Sequence, residues 1–225
     1  MSPAEPGTLN LRRMVTVWAI LAAVMTLVAL ACWARMPREE PAAAGGVPTD
    51  TAAINALVWP KGVVGGRPWR YIVIHHSATP SGTLASIAQG HRDRGFQEAG
   101  YHFLINNGRA PGTMDGEITP TPRWLDQLAG AHTNVREHPE FNTEGIGICL
   151  IGDLERQAPT PAQMASLEIL VKALHDRCGI PLERIVGHGE VKNTQCPGKL
   201  FPMELFLMEL RSTHLLQLSD RILRS

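Results

Sequence analysis

Neither sign of charge prevails in this chain, which sets 21 lysines and arginines against 21 aspartates and glutamates. Nucleic acid and an anionic membrane surface are therefore not the partners its composition points to, and a neutral or small substrate fits better. Cysteine is scarce: Cys32, Cys149, Cys178 and Cys196 are four residues at wide spacing, which excludes a disulfide-stapled small fold and leaves one Cys149–Cys178 bridge open. Internal repeats are absent. The 225 residues hold one well-buried domain with something appended, and not two large ones.

Only one long apolar run is present, Met14 to Ala34, uncharged and of the length that crosses a hydrocarbon core as a helix. Arg12 and Arg13 precede it, while Arg35, Arg38, Glu39 and Glu40 after it cancel. That asymmetry places residues 1–13 inside as a short cytoplasmic tail and the rest of the chain on the extracytoplasmic side of the cell membrane, with 14–34 as a signal anchor. Cleavage after Ala29-Leu-Ala31 and lipid attachment at Cys32 are the competing readings, and both also export the domain. Residues 35–55 read as a flexible linker, because the Pro, Ala, Gly and acidic residues from Pro37 to about Asp50 have no periodicity that could bury surface.

The domain is expected over 56–210, with a helical tail over 211–225. Tyr71 to His75 reads as a buried strand, and Thr83 to Arg94 as a helix with Thr83 as N-cap and Gly95 as stop. Tyr101 to Ile105 and Ile146 to Ile151 read as two more central strands. Thr160-Pro161-Ala-Gln163 opens the strongest helix, with Met164, Leu167, Val171, Leu174 and Cys178 on one face before Gly179. Arg184 to Gly187 is a short strand ending at His188, and Phe201 onward is one or two helices. Strands alternating with helices predict an α/β domain with a mixed central β-sheet flanked by helices.

The chemistry concentrates in His188-Gly-Glu-Val-Lys-Asn-Thr-Gln-Cys196-Pro-Gly, where an imidazole and a thiol sit close together on irregular, Pro- and Gly-punctuated backbone. A third donor is on offer at the end of the first strand, from the pair His75 and His76. Two histidines and one cysteine leave a tetrahedral zinc with one open position, the arrangement of a catalytic site. Adjacent strand residues point to opposite faces, so one histidine of the pair reaches the metal.

Five blocks, YIVIHHSAT (71–79), GYHFLINNG (100–108), GAHT (130–133), NTEGIGICLIGD (142–153) and GHGEVKNTQCPG (187–198), resemble the peptidoglycan recognition protein and type-2 N-acetylmuramoyl-L-alanine amidase family. The resemblance spans about residues 69 to 202. It implies a zinc metallo-amidase that binds one Zn²⁺ and hydrolyses the amide between N-acetylmuramic acid and the L-alanine of the stem peptide. It also implies His75, His188 and Cys196 as metal ligands, with Tyr101 as the catalytic phenol. Thr194 stands where phage members carry lysine and many recognition-protein amidases carry threonine, which makes the second catalytic group a neutral hydrogen-bonder. His132 and Asn142 are expected to line the substrate groove.

The partner expected is peptidoglycan or a muropeptide, met by a monomer held to the membrane by its N-terminal helix. A non-catalytic receptor for peptidoglycan fragments is the alternative on this fold, and those members typically lack the zinc cysteine. The proton donor to the leaving amine stays open between Tyr101, Glu190 and the zinc water. The segment Pro111 to Pro120 departs from the tighter hairpin of the animal proteins, and Trp124 is read as packed.

Overall fold

The computed structural model describes residues 51–60 and 67–224, with isolated positions between 15 and 26. Most of the anchor reading over 14–34 and the tether reading up to residue 50 fall outside those residues. Among the described residues no helix is long and apolar enough to cross a membrane. The chain divides between Ala44 and Gly45 into two units, and the second holds the sheet and its flanking helices.

Five strands form one mixed sheet in the order β3-β2-β4-β1-β5: β1 (Tyr71–His76), β2 (Phe103–Asn107), β3 (Asp115–Pro120), β4 (Gly145–Leu150) and β5 (Ile185–Gly187). The three strands read as central hold the three interior places. β4 runs parallel to β1 and β2, β5 runs parallel to β1, and β3 turns back antiparallel along β2. Between β3 and β4 the chain makes two one-turn helices, α3 (Pro122–Leu125) and α4 (Glu140–Thr143). β2 begins two residues later than expected, at Phe103, which leaves Tyr101 and His102 on irregular backbone. On the strand reading of Tyr101 to Ile105, His102 and Leu104 should both face away from Tyr101, and only one does. His102 faces away from Tyr101, stacking on Trp69 and Trp124, but Leu104 shares Tyr101's side.

The larger face of the sheet carries Ile72, Ile74, Phe103, Ile105, Ile146 and Ile148, packed under the helix α5 (Pro161–Cys178). Each such side chain contributes roughly 1.5–3 kcal/mol when fully buried. α5 starts as its sequence dictates: Thr160 Oγ1 accepts from Gln163 N at 3.0 Å and Gln163 Oε1 accepts from Thr160 N at 3.2 Å. It ends at Gly179, whose φ of 65° suits the left-handed turn. The other face is narrower, covered by α2 (Leu84–Arg92) through Ile87 against Leu104, Cys149 and Ile151. Cys149 thus lies on the α2 side while Cys178 packs against the α5 side, and both are free thiols, so the open bridge is not formed.

Two boundaries differ from expectation. α1 (Thr51–Val58) begins inside the stretch read as linker, because Ile54 and Val58 enter the main core and the Val58 carbonyl accepts from Trp124 Nε1 at 2.6 Å. At the other end α7 (Met203–Arg224) runs as one helix across residue 210, with Phe206 and Leu210 buried and Leu215, Leu216 and Leu223 exposed.

His102 gives the fold a pH dependence. Its Nδ1 accepts from Gly147 N at 2.9 Å, its Nε2 lies 3.0 Å from the Leu128 carbonyl, and burial lowers its pKa from 6.5 to about 3. The unfolded chain takes up a proton near 6.5 that the folded one refuses until about 3. Stability from neutral His102 is therefore whole above 6.5 and is lost as pH falls through that window, at up to about 1.4 kcal/mol per pH unit. Urea midpoints at pH 7 and pH 4.5 are expected to fall less far in His102→Gln than in the parent protein.

Candidate metal centre

β1 carries its two terminal histidines to opposite faces. His76 turns to the α5 side, where its Nδ1 accepts from Leu154 N at 3.0 Å. His75 turns to the α2 side, in register with Cys149, and is 1% exposed. From the far end of the domain, β5 delivers His188 into α6 (His188–Val191), and the following loop brings in Cys196. The ligand atoms of His75, His188 and Cys196 all lie within 4.8 Å of one another.

Hydrogen bonds behind the two rings decide which nitrogens carry hydrogen. His132 Nε2 lies 3.3 Å from the Gly145 carbonyl, which only accepts, so that nitrogen is the donor. His132 Nδ1 then accepts, at 3.0 Å, from His75 Nε2. His75 Nδ1 is left with a bare lone pair, 3.6 Å from Cys196 Sγ. By the same logic His188 Nε2 donates to the Thr133 carbonyl at 3.1 Å, leaving its Nδ1 bare. Burial lowers the pKa of His75, His132 and His188, most strongly for the first two, and neighbouring imidazoles add to the effect at His75. The rings are thus neutral donors.

Burial pushes the Cys196 thiol up to about 11, opposed by a hydrogen bond from His76 N at 3.4 Å. Two imidazole lone pairs and one sulfur suit zinc, and the 3.6 Å between Sγ and Nδ1 matches the edge of about 3.5 Å that Zn–S and Zn–N bonds span in a tetrahedron. The donor set fits the metal.

Tyr101 stands beside this cluster, its ring 5.1 Å from that of His75 and 5.2 Å from that of His91. Burial, with Cys149 and Cys196 adding, holds its phenol well above the ordinary 10. Thr194 is exposed on the groove wall, where its Oγ1 accepts from Cys196 N at 3.4 Å. Glu190 caps α6 instead of reaching an imidazole, since its Oε1 accepts from Gly187 N at 2.7 Å.

Of the two residues expected to line the groove, one does and one does not. His132 lines it while buried behind His75 as the second ring of the relay. Asn142 does not line the groove at all: its Oδ1 accepts from His132 N at 2.9 Å and from Thr133 N at 3.2 Å. It fixes the strip of chain that carries both supports of the ligand imidazoles.

Some contributors have no counterpart in the sequence reading. The His132 ring is seated between Gly130 and Gly147, and a Cβ at position 147 would lie 2.5 Å from its Cδ2. A glycine within a strand is the signal of such close approach. Gly147→Ala is expected to leave the fold intact but push the ring off His75, weakening zinc retention about 10- to 100-fold, as losses of support behind a metal-ligating histidine do. Competition with a chelator measures this. Arg94 and Lys192 also line the groove, a cavity of about 660 Å³ with no carboxylate among its described lining residues.

A family model described as N-acetylmuramoyl-L-alanine amidase matches residues 65–199. A peptidoglycan-recognition protein of Drosophila simulans is 33% identical over 150 residues, covering 61% of this chain and 73% of that protein. The endolysin of Escherichia phage T7 is 33% identical over 136 residues, covering 56% of this chain and 78% of the relative. Among solved structures, the endolysin N-acetylmuramoyl-L-alanine amidase LysCS of Clostridium intestinale superposes with a TM-score of 0.54 at 30% identity, over 64% of this chain and 85% of that one.

Proposed function

Because the chain belongs to the N-acetylmuramoyl-L-alanine amidase family, we propose that it is a zinc-dependent hydrolase of the amide joining N-acetylmuramic acid to the L-alanine of peptidoglycan stem peptides. The observation that carries this reading is the convergence of three metal-donor atoms from distant parts of the chain within 4.8 Å. Two of them have their lone pairs freed by the hydrogen bonds behind them.

His75, His188 and Cys196 would hold the zinc. Bound there, the metal supplies the Lewis acidity that polarises an amide carbonyl and makes a water nucleophilic near neutral pH. The protein's part is positional and electrostatic. His132 and the Thr133 carbonyl fix the two ligand rings, so that their orientation requires no reorganisation during the reaction. Tyr101 keeps its proton across the working pH range and therefore serves as a neutral donor to the oxygen that gains charge. Thr194, on the groove wall beside Cys196, offers a second hydroxyl.

We place the domain outside the cytoplasmic membrane, working as a monomer and anchored by the apolar run of residues 14–34. Metal analysis together with mass spectrometry of digested sacculi tests the whole reading. One zinc per chain and release of free stem peptides are expected. Binding of muropeptides without release would make the protein a receptor instead.

A further inference from the structure

The groove of the metal centre opens where β1 ends. Where β1 and β5 begin, at the opposite edge of the sheet, lies a second cavity of about 710 Å³. Six residues of strand separate the two, or roughly 17–20 Å. Arg67 and Arg70 reach this cavity from the segment leading into β1, Arg177 from the last turn of α5, and Arg184 from the turn before β5, with Trp59 and Trp69 between them. Four of the chain's 21 basic residues thus meet in one place, and no carboxylate is among the described residues that line it. The acid paired with one of them, Glu144, lies 3.4 Å from Arg70 Nη1.

Three of the four guanidinium carbons lie over aromatic rings: Arg177 Cζ is 4.4 Å from the centroid of Trp59, Arg184 Cζ is 5.4 Å from Tyr71 and Arg67 Cζ is 5.7 Å from Trp69. A cation over a ring is held by the ring's face and keeps donor N–H groups at its edge. Arg67 is pinned further by the carbonyls of Gln127 at 3.3 Å and Thr143 at 3.1 Å. One more donor waits here, since Trp59 Nε1 is buried without a hydrogen-bond partner. Buried donors of this kind are rare unless something accepts from them. Arg70 has Glu144 beside it, whereas Arg67, Arg177 and Arg184 have no ion pair among the described residues and repel one another unless an anion sits among them.

We propose that this cavity is a binding site for a phosphate-bearing ligand, a phosphomonoester or phosphodiester held by Arg67, Arg70, Arg177 and Arg184. Paired, planar N–H donors match the oxygens of a phosphate group. The cavity is far larger than the ion, so the phosphate arrives on a larger molecule, either the headgroup of an anionic lipid or a soluble ester. The site stands independently of the amidase reading, because none of its residues belongs to the metal centre.

The test uses the full-length protein and the double variant Arg177→Gln/Arg184→Gln. Titration with glycerophosphoglycerol, followed by phosphorus NMR and calorimetry, is the soluble arm. Flotation with phosphatidylglycerol against phosphatidylcholine vesicles is the lipid arm, and the N-terminal apolar run, identical in both proteins, cancels in the comparison. At least tenfold weaker binding in the double variant in either arm, with unchanged zinc content and unfolding midpoint, supports the site, and the arm that responds names the source. Equal binding by both proteins in both arms, or no binding in either, overturns it. Should the double variant fail to fold, Arg70→Gln, whose side chain is 51% exposed, gives the same readout.

Discussion

Cys196→Ser is expected to lose zinc and hydrolysis together, with turnover down at least about a thousandfold and bound zinc below about one tenth of an equivalent after dialysis. Serine keeps the size and the surroundings: the Thr194 hydroxyl still braces the residue's own N–H, and His76 N still points at its side chain. What changes is the donor. A thiol gives up its proton to a cation and becomes a soft, charged ligand, whereas an alcohol stays neutral and hard. The loss therefore tests ligand chemistry and not folding, and an unchanged thermal midpoint is the control. Full hydrolysis by a metal-free Cys196→Ser protein would remove the basis for the zinc reading.

Tyr101→Phe separates the metal from the chemistry. The ring stays between His75 and His91, so zinc retention is expected to be unchanged. The hydroxyl is lost, and turnover is expected to fall about 100- to 1,000-fold with little change in KM, the size of effect that follows removal of one donor to a developing oxyanion. Because burial raises the phenol's pKa, the parent protein should show no alkaline loss of turnover traceable to this group below pH 10. Steady-state kinetics on a defined muropeptide measure both. Equal turnover in the two proteins would reduce Tyr101 to a packing residue.

Where a segment obeys its own local rules, the sequence shows it. The run Tyr71 to His76 is buried on both faces and reads as a strand, and the capping box at Thr160 and Gln163 forms as its residue types require. The choice between His75 and His76 follows from strand alternation alone, provided the strand is real. The convergence of His75 with His188 and Cys196 was also legible, through motif resemblance.

What could not be read depends on partners far away in the chain. Asp115–Pro120 has two acids, a glycine and a proline and no alternating apolar pattern. It is a strand only because β2 offers it an edge, with its terminal proline where no further ladder is needed. The first turn of α1 reads as linker because Thr51, Ala52 and Ala53 continue the small-residue composition before it, and the helix is held by Trp124 and the core beneath it. The resemblance put His132 at the groove, and a place just before the third strand put Asn142 there. Their acceptors and donors, Gly145, His75 and the amides of His132 and Thr133, are distributed in a way no linear pattern records. Gln163 does likewise, capping α5 while its Nε2 donates to the carbonyls of Ile105 at 3.0 Å and Ile151 at 2.9 Å.

The imidazole relay ends on the carbonyl of Gly145, a residue of β4 that pairs in register with Tyr71 at the start of the strand carrying His75. The aim of that donor is therefore inherited from strand pairing, the stiffest part of the molecule, while the groove walls come from α2, the turn around Arg94 and the loop bearing Lys192 and Thr194. Exchanging those peripheral segments should retune which ligands the groove admits without disturbing the three donors at its floor, so selectivity and metal binding can be engineered, or can evolve, along separate lines.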